Sequence, residues 1–129
     1  MKRAIFFLTL VLLINFIAGM YYNFYEYWWF DVFLHFLGGF FVAMLMVHYL
    51  ADIKTKSKLK NYLIITGAVI LIGVLWEFAE YLANQTLVEP IYNSFGIKAY
   101  FIGDLDDTLN DLLMDILGAI SWLLLFRKS

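Results

Sequence analysis

Four long apolar stretches, separated by short polar or aromatic segments, set the pattern of this chain. The first three are "AIFFLTLVLLINFIAGM" (4–20), "VFLHFLGGFFVAMLMVHYLA" (32–51) and "YLIITGAVILIGVLWEFAEYLA" (62–83), and the fourth covers 108–126. Each comes close to or exceeds the roughly 20 predominantly apolar residues that a helix needs to cross hydrocarbon. The pattern predicts an all-α integral membrane protein, a compact four-helix transmembrane bundle forming one domain over residues 1–129. Between the first two spans lies "YYNFYEYWWF" (21–30), too aromatic for an ordinary loop. It reads as an interfacial belt, because Tyr and Trp place an apolar ring and a polar edge at headgroup level.

The basic residues fix an expected orientation. Lys2 and Arg3 precede the first span, Lys54, Lys56, Lys58 and Lys60 fill the second loop, and Arg127 and Lys128 follow the fourth span. With four spans all these positions fall on one side, and only Lys98 does not. The positive-inside bias makes that side cytoplasmic, with both termini inside. The aromatic belt and the loop 84–103, which carries the sole proline, Pro90, then face outward, the loop folding back over the membrane surface. The opening "MKR" and the apolar run after it also resemble a signal peptide. Retention of the segment is the expectation, since no A-x-A cleavage site follows and aromatic residues come at once. Asn84-Gln85-Thr86 matches a glycosylation triplet, a weak signal at three residues.

Polar interruptions of the spans carry the candidate chemistry. Asp31 lies at the outer boundary of the second span and His35 one turn deeper; Glu80 and Glu77 stand in the same relation on the third. On the fourth, Asp107, Asp111 and Asp115 recur every four residues. That spacing turns by only about 40° per step, so the three form one slowly drifting stripe. His35, Glu77 and Asp111 are thus expected at one depth, with Asp31, Glu80 and Asp107 in a tier above them. Gly38, Gly39, Gly73 and Gly118 lie on or near these faces and allow helices to approach closely.

Hydrocarbon opposes charge: an aspartate at a span centre costs roughly 3 kcal/mol on insertion scales. Six carboxylates and one imidazole, with no Lys or Arg inside the spans, cannot all stay ionised in a low dielectric. Either several carboxyls keep their protons or a cation is bound. A plainer reading holds for the boundary residues. Asp31, Glu80, Asp104 and Asp106 suit an interface, and residues 104–107 also suit a helix N-terminus. His48, near the other end of its span, reads as interfacial.

Composition narrows the chemistry. The chain is 64% hydrophobic and contains no cysteine, which excludes disulfides, zinc–thiolate sites and thiol nucleophiles. A net charge of −2 without a basic patch gives no footing for nucleic acid. Oxygen donors with one imidazole suit magnesium or manganese better than structural zinc.

The ordered set "DVFLHFLGG", "WEFAEY" and "DTLNDLLMDILGA" resembles the YjdF-like family of small prokaryotic membrane proteins. That family carries D-x-x-x-H, W-E-x-x-E and D-T-x-x-D-x-x-x-D-x-x-G-A elements on successive helices. A more distant likeness is to VanZ-like proteins, associated with glycopeptide-antibiotic resistance, through Asp31, His35-Phe36, Glu77, Asp111 and Gly118. Asp115 stands where those proteins have asparagine and Val32 where they have lysine, so their activity does not carry over. The resemblance implies a shared membrane fold of four or five helices in the prokaryotic plasma membrane.

Three functions compete. In the first, Glu77, Glu80, Asp107, Asp111 and Asp115 hold a divalent cation near the outer face. It acts on a lipid-phosphate or polyprenyl-phosphate substrate, with His35 as general acid or base and Asp31 orienting it. In the second, a non-catalytic protein binds a lipid or envelope precursor through the same cluster. In the third, the stripe passes protons or cations in a homo-oligomer, although only Thr9 and Thr66 extend it toward the cytoplasmic face.

Overall fold

A computed structural model of the chain describes residues 1–22 and 24–126. Arg127 and Lys128, counted above in the charge bias, and Asn23 of the aromatic belt lie outside the described residues. Five α-helices follow in order: α1 (Lys2–Phe16), α2 (Trp28–Tyr49), α3 (Lys58–Thr86), the short α4 (Val88–Phe95) and α5 (Leu105–Leu125). Four helical stretches are long and apolar enough to span a membrane: Lys2–Gly19, Trp28–Tyr49, Lys58–Thr86 and Leu105–Leu125. The fold is an all-α transmembrane bundle, as the apolar pattern predicts.

Helix ends differ from that pattern where capping and aromatic residues intervene. α1 passes into a π-helical turn at Ile17–Tyr21. α2 begins at Trp28, so the last three residues of the aromatic belt belong to it; Trp28 points outward while Phe30 is buried. α3 starts behind Ser57, whose side chain accepts from the Lys60 amide at 3.4 Å. α5 starts behind Asp104, whose carboxylate accepts from the Asp107 amide at 3.0 Å. Such side-chain caps contribute about 1 kcal/mol each. The loop after the third span is more ordered than sequence suggested. α3 continues to Thr86, and Pro90 sits in the first turn of α4, where a missing amide proton costs nothing. α4 ends at Gly96, whose φ of 66° supplies the left-handed cap. The glycosylation triplet falls in the last turn of α3, with the Asn84 side-chain oxygen accepting from the Phe101 amide at 3.5 Å.

α2 and α5 form the most extensive helix pair, and α3 packs against both. Lipid tails are as apolar as leucine, so close backbone approach has to hold such helices together. Glycines permit it here. A Cβ on Gly39 would strike the Asp115 backbone, and one on Gly118 would strike the Phe36 carbonyl. The half of the bundle nearest the lysine-rich loop closes over an apolar core of Ala43, Ile65, Val69, Ala119, Trp122 and Leu123. Trp122 also stacks on Phe126 with ring centroids 5.5 Å apart. α1 is more loosely tied: among the described helices it packs only against α2, with Phe7 stacked on Phe41 at 4.8 Å.

A buried histidine–carboxylate centre

The ionisable residues of three helices meet in the half of the bundle away from the lysine-rich loop. Each arrives for a local reason. The i, i+4 spacing puts Asp31 and His35 on one face of α2, and the same spacing puts Asp111 and Asp115 on one face of α5. That α5 face must turn inward, because Gly118 lies one turn further along it and seats against α2. Glu77 comes in from α3 one turn beyond Gly73, where a Cβ would strike the Asp115 carboxylate.

His35 is the hub. Its Nε2 lies 3.8 Å from Glu77 Oε1, 3.9 Å from Asp31 Oδ1 and 3.9 Å from Asp111 Oδ2. Its Nδ1 faces the other way, 3.5 Å from Asp115 Oδ1. His35, Glu77, Asp111 and Asp115 are all buried, Asp111 to 2% relative exposure. Asp31 is half-buried.

Separations of 3.8–3.9 Å are too long for direct hydrogen bonds, which between charged groups close to about 2.8 Å. The group is drawn together but not joined. Among the described residues, Glu77 Oε1, Asp111 Oδ1 and Asp115 Oδ2 are buried without a hydrogen-bond partner. A buried oxygen left in that state is costly, and an ion removes the cost. Two sets of donors have ligand atoms within 4.8 Å of one another: Asp31, His35 and Asp111, and His35, Glu77 and Glu80. This is a buried histidine–aspartate cluster capable of coordinating a metal ion.

The other expected residues take different places. Glu80, half-buried, accepts from the Trp76 indole at 2.8 Å, an i, i+4 contact along α3. Glu77 Oε2 accepts from the Thr108 hydroxyl at 2.9 Å, tying α3 to α5. Asp107 belongs to neither donor set and lies against Gly103 at the start of α5. Asp115 is also outside both sets, on the far side of the imidazole. Asp104 and Asp106 are exposed, and His48 is exposed near the end of α2 with Nδ1 2.8 Å from the Met44 carbonyl.

Two contributors were not singled out in the sequence. Trp76 was readable in "WEFAEY" as the residue four before Glu80. Asn15 is the other: it is buried and is the one amide side chain in the apolar run of α1. With Leu8, Leu12, Val42, Val69 and Ile72 it lines a cleft of about 260 Å³ between α1, α2 and α3 that reaches Asp31, His35 and Asp115.

The chain belongs to a family of predicted membrane proteins (DUF2238), whose model matches residues 1–128. It is also 33% identical over 123 residues to an uncharacterized protein of Thermotoga maritima, covering 88% of this chain and 56% of the relative. The chain therefore spans little more than half the length of that relative. No solved structure matches. These likenesses establish a multi-pass membrane protein of the prokaryotic plasma membrane and carry neither the YjdF nor the VanZ name.

Proposed function

We propose that this protein is a membrane-embedded, metal-dependent site for a lipid-phosphate or polyprenyl-phosphate substrate. The single observation that carries the reading is the unjoined cluster, with Asp31, Glu77 and Asp111 around Nε2 of His35 and buried oxygens lacking partners. Nε2 of His35, Asp31, Asp111 and Glu77 would hold a divalent cation, magnesium or manganese, with Glu80 close by. The hard oxygen donors favour these ions. When bound, such a cation neutralises phosphoryl oxygens and generates a nucleophilic water.

The protein's own groups have separable tasks. Asp115, against Nδ1, holds the ring proton there and so keeps Nε2 directed at the centre, as carboxylates behind metal-bound histidines do. The Thr108 hydroxyl fixes one Glu77 oxygen and leaves the other toward His35. The Trp76 indole fixes one Glu80 oxygen. An imidazole so placed can instead serve as the acid or base, and Asp115 at 3.5 Å is then better placed than Asp31 at 3.9 Å to orient it.

The lysine-rich loop supports a cytoplasmic placement for the far end of the bundle, with both termini inside and the cluster nearer the outer face. The apolar core beneath Asp115 and the Thr9 hydroxyl, which donates to the Ile5 carbonyl of its own helix, count against a polar path through the chain. The order of the D-x-x-x-H, W-E-x-x-E and final aspartate motifs supports kinship with YjdF-like proteins.

The deciding experiment is divalent-metal content of the purified, detergent-solubilised protein beside Asp111→Asn and Glu77→Gln. One ion per chain is expected in the parent, and about a hundredfold weaker binding in each variant, since a ligand is lost from a buried centre. Affinity should rise with pH, because the ligands bind deprotonated. Absence of metal at every pH in folded protein would sink the metal-dependent reading. Stoichiometric metal without turnover of farnesyl phosphate or undecaprenyl phosphate would leave a binding protein.

A further inference from the structure

The cleft beside the cluster has a direction. Its apolar walls come from Leu12 of α1, Val42 of α2 and Ile72 of α3, while Asn15, Asp31 and His35 lie toward one end and Asp115 meets the cleft beside Gly38 and Gly73. Along α1 the lining runs from Leu8 to Asn15, along α2 from Val42 back to Asp31, and along α3 from Val69 to Trp76. α1 and α2 therefore pass from apolar to polar in the same sense, from the bundle middle toward the aromatic belt, and α3 ends on the indole of Trp76. A membrane lipid has that polarity, with its tail at the midplane and its head at the surface.

The wall between cleft and cluster is also thin. Gly38, Gly39 and Gly73 line it, and none presents a side chain between the cleft and Asp115. One Asp115 oxygen lies 3.9 Å from where a Gly38 Cβ would stand, and the other is the buried oxygen without a partner. α1 covers the cleft while packing on α2 alone, which leaves the side between α1 and α3 facing the bilayer. Whole small ligands occupy pockets of roughly 300–1,000 Å³, so about 260 Å³ suits a single hydrocarbon chain better than a pair.

We infer that this cleft is a lateral entry groove that seats one acyl or isoprenoid tail of a membrane-borne phosphate monoester and delivers its head to the histidine–carboxylate centre. The inference rests on the proposed metal-dependent reading for the head and on the groove alone for the tail. Asn15 is then a positioning residue at the neck between tail and head, and specificity is for a single chain.

The test uses the full chain in nanodiscs, loaded with manganese and exposed to dodecyl phosphate bearing a diazirine near the chain end. Labelled positions are mapped by mass spectrometry. Label should concentrate on Leu12, Val42 and Ile72, above the lipid-facing Leu63, Leu71 and Phe78. Ile72→Trp should lower cleft labelling by about tenfold, as overfilling a small apolar site does, whereas Leu71→Trp on the lipid face should not. Uniform label over the lipid-facing helices, unchanged by Ile72→Trp, overturns the groove. The neutral diazirine alcohol of equal length separates the two readings. Equal cleft labelling by alcohol and phosphate keeps the groove and removes phosphate recognition, and preference for the phosphate supports both.

Discussion

The inward face of α5 is two surfaces joined at Gly118. Above it, Asp111 and Asp115 meet His35 in a cluster whose buried oxygens lack partners. Below it, Ala119, Trp122 and Leu123 join Ala43, Ile65 and Val69 in close apolar packing. Both halves are buried and both lean on α2 and α3, yet among the described residues the lower half leaves only the Tyr62 hydroxyl without a partner, whereas the upper half leaves three carboxylate oxygens. Burial thus does different work along one helix: below Gly118 it stabilises, and above Gly118 it holds unspent interaction for something the chain itself does not supply.

On that division, the two halves should respond oppositely to substitution. Trp122→Ala should have the largest effect, lowering stability by about 3 kcal/mol or more through the cavity it leaves. Metal affinity of the fraction still folded should stay near the parent value. Thermal unfolding followed by circular dichroism, with metal titration below the transition, checks both, and a parallel loss of affinity would merge the halves. Asp115→Asn comes next. It should weaken metal binding by about tenfold to a hundredfold by loosening the imidazole, with the metal-free protein as stable as the parent or more so. The smallest effect is expected of Thr108→Val, which removes one hydrogen bond to Glu77 and should cost about 1 kcal/mol in stability and less than tenfold in affinity. A larger affinity loss there would mean that Glu77 depends on Thr108 more than on the centre it faces.

Much of this arrangement was legible in the sequence because membrane helices obey few rules. Span length fixes the elements, and four-residue spacing places Asp31 with His35 and Asp111 with Asp115. Depth counting brought His35, Glu77 and Asp111 to one level, where their side chains do meet. Rotation about each helix axis was harder. Asp107 and Asp115 belong to the same stripe as Asp111, but the stripe drifts, so one ends beside Gly103 and the other behind the imidazole. Which ring nitrogen faces which carboxylate depends on side-chain torsions that spacing does not encode. The helical run through residues 84–86 and α4 were missed because polar residues and a proline signal a loop wherever neighbouring packing is unknown. Asn15 was passed over since one amide in an apolar span has no periodic partner to mark it.

The glycine contacts between α2 and α5 have one more consequence. Seen from the lipid, α5 has an outer face as apolar as any inner one, with Leu109, Leu113, Leu117 and Leu124 all exposed. Hydrocarbon alone gives such a cylinder only weak instruction about how to turn. Gly118 against the Phe36 carbonyl, and the Asp115 backbone against Gly39, act as key and keyway, admitting the helix at a single angle. A tooth filed differently at either place would leave a helix that still spans the membrane, with its aspartates dialled to the wrong bearing.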